Sequence, residues 1–192
     1  MKDKLPVLIL FIVLLGSFFT GVMILLDHHT APMIEKIERV NLKKSVMDVL
    51  DIPYAEKDIE KLFEEAVTAR NIGNQVFYVS DTGNVIFPFE GPGLWGSISG
   101  IVALEPDGDT IKGINILHHE ETPGLGGRIE EPGFLNTLKG KKVLSEIKIV
   151  PAGKSKGANA VDAITAATLT SKAFAEILNN DVSDKAALYK NR

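Results

Sequence analysis

The sequence predicts an α+β protein: an N-terminal transmembrane helix and a helical neck, followed by one domain in which helices pack an antiparallel sheet. Three observations carry this expectation. Residues 6–26, PVLILFIVLLGSFFTGVMILL, hold no ionisable side chain. Behind them, apolar residues recur at helical spacing among charges as far as Leu50. From Val76 onward, β-rich runs flank the turn-forming stretches SDTGN and EPDGD.

The elements follow in order. At ~1.5 Å rise per residue the apolar run crosses the roughly 30 Å hydrocarbon core of a bilayer. A cleaved signal peptide is the rival reading, but its apolar region usually runs about 7–15 residues before a small-residue site. This run is longer, and DHHTAPM is a poor cleavage site, which favours an uncleaved single-pass anchor. Lys2 and Lys4 precede the span and Asp27 follows it, so the N-terminus is expected in the cytoplasm and the domain on the extracytoplasmic side. In residues 32–50, Met33, Ile34, Ile37, Val40, Val46, Met47 and Leu50 mark a helix that continues the anchor, with Thr30 as cap and Pro32 in its first turn. DIPYAEKDIEKLFEEA reads as a turn and a short amphipathic helix. Strands are expected at 76–79, 85–87, 98–104 and 110–117, with another in KKVLSEIKIV. A last helix starts near Thr165 and carries Leu169, Phe174, Ile177 and Leu178. The organisation is therefore an anchor over 1–27, a helical neck over 28–70 and a folded domain over 71–192.

Composition narrows the chemistry. The 192 residues are 45% hydrophobic and 24% charged, which excludes a disordered chain. A net charge of -4 leaves no electrostatic footprint for nucleic acid. Cysteine is absent, which removes disulfides, thiolate zinc sites, iron–sulfur clusters and thiol catalysis. Redox chemistry would have to come from a bound organic cofactor.

Two stretches point to a ligand. DAITAATLTS, residues 162–171, sets Thr165, Thr168, Thr170 and Ser171 among small alanines just before a helix. A helix N-terminus offers unpaired N–H groups and positive potential to a phosphate, with Thr168 close to it. A helix capped by Asp162 or Thr165, its other hydroxyls solvated, fits the same residues. In HHEETPGLGGRIEEPGF, Pro123 and Gly124 turn the chain after a strand, while Gly126 and Gly127 leave bare backbone that could lie against a planar ligand. His118, His119, Glu120 and Glu121 are adjacent on a strand, where alternate side chains point to opposite faces, so no metal site is expected. Trp95, in GPGLWGSISG, either stacks on an aromatic ligand or fills a gap beside the sheet.

ETPGLG (residues 121–126) and the spacing Asp162-x-x-Thr165-x-Ala167-Thr168, in one anchored chain without cysteine, resemble the FMN-binding subunits of two related membrane complexes. These are the G subunit of the Rnf complex and the C subunit of the sodium-translocating NADH:quinone reductase. The resemblance implies an FMN-binding domain over 71–192, and a phosphoester from Thr168 to FMN made by a separate flavin transferase that reads Asp162 and Thr165. It implies that Glu121, Thr122, Gly124, Leu125 and Gly126, with Ala167 and Trp95, surround the cofactor. Ala166 departs from the family's usual glycine, a small change expected to favour the helical start. Leu94 and Trp95 resemble the quinone-reductase subunit, whereas the compact length is closer to the Rnf subunit, toward which the reading leans. The implied function is electron transfer within an ion-translocating complex, with other membrane subunits as partners and no catalytic acid, base or nucleophile in this chain. The alternatives are an FMN-binding sensor outside any pump, or an anchored domain without flavin.

Overall fold

A computed structural model describes residues 4–191; Lys2, used above for orientation, lies outside them. The chain divides into two units, Met1–Val40 and Asn41–Arg192.

In the first unit, helix α1 (Leu5–Val49) starts one residue before the apolar run, and its most apolar window has a mean hydropathy of 2.7 with none of it buried. The expected boundary at Thr30 and Pro32 is absent, because α1 runs through both. Thr30 caps nothing; its hydroxyl donates back to the Leu26 carbonyl at 3.0 Å. Pro32 lies inside the helix and removes one main-chain donor.

The second unit is built on a five-stranded antiparallel meander: β1 (Val67–Ile72), β2 (Gln75–Ser80), β3 (Val85–Pro92), β4 (Ser97–Leu104) and β5 (Ile111–His119). Alternation along the strands separates two cores. Ile86, Ile101 and Ala103 pack with Val46, Met47 and Val49 from the end of α1 and with Ile59 of α2 (Ile59–Ala66). Phe87, Phe89, Val102 and Leu104 belong to the larger core, together with residues of α3 (Pro132–Leu138), α4 (Thr168–Ile177) and α5 (Ser183–Lys190). The sheet is thus the middle layer of three. Gly100 faces Phe89 across β3 and β4, and a Cβ there would fall 2.6 Å from the Phe89 ring.

Several elements differ from expectation. Only Lys148–Val150 (β6) of KKVLSEIKIV is strand, and it pairs in parallel with β7 (Ala160–Asp162) as a small second sheet. The final helix begins at Thr168 rather than near Thr165, because Ala166 has φ 65° and Ala167 is not helical. After α4 the helix widens into one π turn, Leu178–Val182, before α5.

Candidate functional site

Three connections converge at one end of the sheet. The first is the turn between β3 and β4, closed by the Gly93 N–H donating to the Gly96 carbonyl at 2.7 Å. The second follows β5, where the Thr122 carbonyl accepts from the Leu125 and Gly127 N–H groups at 3.2 and 3.0 Å. The third is the entry to α4. Together they enclose a cavity of about 400 Å³, within the usual size of ligand pockets. Its walls are Leu94 and Trp95 from the first connection, Thr122, Leu125 and Gly126 from the second, and residues 166–170 from the third.

The structure thus brings Trp95, Thr122, Leu125, Gly126, Ala167 and Thr168 around one space. Glu121, Gly124, Asp162 and Thr165 stand outside its lining. Gly124 is at φ 73° with open space where a Cβ would be, so it serves the turn rather than the wall. Asp162 does not cap α4. Its carboxylate accepts the Lys154 and Ser155 N–H groups at 3.0 and 2.9 Å, clamping the connection from β6 to β7. Burial pushes this carboxyl up, but hydrogen bonds from the Ser155, Gly153 and Lys154 main chain outweigh it and hold it below the usual carboxylate range.

The four hydroxyls of DAITAATLTS have different surroundings. The Ser171 hydroxyl is buried, donating to the Ala167 carbonyl at 2.9 Å and accepting from the Ile164 N–H at 3.0 Å. That of Thr170 is buried against Glu121 at 2.7 Å. Thr165 is exposed away from the cavity. Thr168 alone is both exposed and in the wall, on the first residue of α4, whose N-terminus no side chain caps. The first-turn N–H groups there are open to an anion without competition from a side-chain cap.

Trp95 is 71% exposed, so it packs no gap; its ring is available to stack. An aromatic face, leucine walls and an uncapped helix start suit a planar aromatic ligand that carries a phosphate. Sequence reasoning missed Leu94, Leu169 and Thr170 as lining residues. The run of hydroxyls marked Thr170, but nothing in the residue order tells a buried hydroxyl from an open one. Ala166 also lines the cavity, and at φ 65° its methyl opposes the backbone rather than favouring a helical start.

The FMN-binding domain family matches residues 93–183, which contain all three connections. The C subunit of the Na(+)-translocating NADH-quinone reductase of Vibrio alginolyticus is 32% identical over 177 residues, covering 84% of this chain and 69% of that one. Its counterpart in Vibrio vulnificus strain YJ016 is 38% identical over 127 residues, covering 61% and 48%, so this chain spans about half of its length. The solved structure of NqrC from Shewanella oneidensis shares the fold, with a TM-score of 0.70 at 22% identity, covering 81% of this chain and 98% of that one. The solved structure of the same reductase's C subunit from Parabacteroides distasonis has a TM-score of 0.70 at 25% identity, covering 83% and 96%. With a relative at this identity aligned along most of both chains, and the FMN-binding match laid over the cavity, the chain belongs to the FMN-binding family of the sodium-translocating NADH-quinone reductase C subunits.

Proposed function

We propose that this membrane-anchored protein carries FMN through a phosphoester on Thr168 and relays electrons within a redox-driven, sodium-translocating NADH:quinone reductase. The observation that carries the attachment is the placement of hydroxyls: of Thr165, Thr168, Thr170 and Ser171, only Thr168 is exposed within the cavity wall. The uncapped start of α4 favours the phosphate beside it. Trp95, Leu94 and Leu125 offer apolar surface to the ring. Bound FMN supplies the electron chemistry, while the chain fixes its position and surroundings.

Denaturing electrophoresis of protein made in its own host, viewed under ultraviolet light, tests the attachment. The wild-type band fluoresces, and Thr168→Val abolishes both the fluorescence and the added flavin mass. Covalent flavin that persists in Thr168→Val, or that disappears only in Thr170→Val, overturns the assignment.

A second reading is the G subunit of an Rnf-type complex, whose resemblance rests on the same two motifs, residues 121–126 and 162–168. Proteins that copurify with the chain, and the donor that reduces its flavin, separate the two. Lys4 before the span and Asp27 after it support an extracytoplasmic domain. Protease added to sealed right-side-out vesicles then removes the domain, whereas cleavage only in inverted vesicles reverses the topology.

A further inference from the structure

Glu121 is 3% exposed, yet it lies beside the cavity rather than in its lining. Its Oε1 accepts the Leu94 and Trp95 N–H groups at 2.7 and 3.2 Å, and its Oε2 accepts the Thr170 hydroxyl at 2.7 Å. Its own N–H donates to Nδ1 of His119 at 3.2 Å. One side chain on the second connection therefore holds both of the others. Two glycines make the room. A Cβ on Gly126 would fall 2.7 Å from the Thr170 hydroxyl and 2.8 Å from Oε2, and one on Gly93 would fall 2.5 Å from Oε1. Because Gly126 and Thr170 line the cavity, the carboxylate lies directly behind its wall.

We infer that Glu121 is the positioning residue of the flavin site: it locks the three cavity walls together and sets a fixed negative charge behind them, which disfavours added electrons on the cofactor. The inference rests on the FMN reading for its electronic part only; the lock belongs to the protein without flavin. Three donors converge on two oxygens of one buried group, and bonds to a charged acceptor are the stronger kind. A negative charge at short range through a low-dielectric wall opposes reduction of a neighbouring group.

Two substitutions separate lock from charge. Glu121→Gln keeps an acceptor for the two N–H groups, and its amide can donate to the Thr170 oxygen, so the shape survives without the charge. Glu121→Ala removes both. Amide hydrogen exchange on the full-length, flavin-free protein reads the lock: protection at Leu94 and Trp95 falls at least tenfold in Glu121→Ala and stays near wild type in Glu121→Gln. The emission of Trp95, the only tryptophan, changes in parallel. Spectroelectrochemical titration of the flavin-loaded protein reads the charge, and the midpoint potential rises in Glu121→Gln. If Glu121→Ala does not fold, Glu121→Asp, charged but too short to span the three donors, takes its place and loses the same protection. Unchanged protection in the shortened variant, or an unchanged potential in Glu121→Gln, overturns the inference. A wild-type protein without flavin would instead count against the FMN reading, leaving the exchange experiment to judge the lock.

Discussion

At Ala166 the backbone takes φ 65°, a conformation that costs an L residue with a Cβ roughly 1–2 kcal/mol. Glycine relieves that strain and returns part of the gain through a more flexible unfolded chain. Ala166→Gly is therefore expected to stabilise the domain by about 0.5–1 kcal/mol, read as a higher denaturation midpoint; a lower midpoint contradicts the strain. Asp162 makes a second prediction at this scale. Its carboxyl is held below the usual range by the main chain it clamps, so its contribution is present above the ordinary aspartate value of 3.8. That contribution is lost progressively as pH falls from there through the lower, folded value. Amide protection at Lys154 and Ser155 should fade in that acid window. Asp162→Asn retains an acceptor oxygen and should keep the protection without the pH dependence, and a wild-type clamp indifferent to acid would sink this account.

Among the elements, α4 carries both the site and much of the larger core. Phe174 is buried, with ring centroids 5.9 Å from Phe89 and 6.1 Å from Phe134. Phe174→Ala should cost about 3–5 kcal/mol by leaving a cavity among these rings, measurable by denaturant titration, and a loss under about 1 kcal/mol would show that the rings close over the gap. Thr168 starts the same helix, so the flavin attachment proposed there should weaken in parallel. The sequence shows the elements whose signals are local: SDTGN and EPDGD mark their hairpins, and the apolar run marks the start of α1. It hides those whose pairing is remote. β1 reads as polar because, after Val67, its residues are mostly exposed. β6 and β7 are three residues each and find one another across a long connection. The candidate site was legible in the same measure. Thr168 and the glycine loop stand out as motifs, whereas the contact of Glu121 with Leu94, Trp95 and Thr170 joins residues that only the folded chain brings together.

On the scale of the whole molecule, one helix supplies both the apolar span and part of a core. Val46 and Met47 are completely buried against Ile86 and Ile101. A protein starting at Asn41 should therefore be soluble and fold cooperatively. One starting at Asp51 exposes that face of the sheet and should aggregate or melt without a transition; a cooperative melt of the shorter protein would refute the role given to α1. The larger core has a consequence for biosynthesis. Phe77 of β2 packs against Tyr189 of α5, with ring centroids 5.4 Å apart, and the same core takes in Val182 and Ala186. While the chain is being made, β2 and β3 emerge long before these partners and must wait, their aromatic faces uncovered, until Tyr189 has left the ribosome and, in the orientation proposed here, crossed the membrane. Cavity walls that depend on this sheet cannot settle sooner. Loading with flavin then comes after translation, and an enzyme that recognises the finished fold would modify only chains that have been completed.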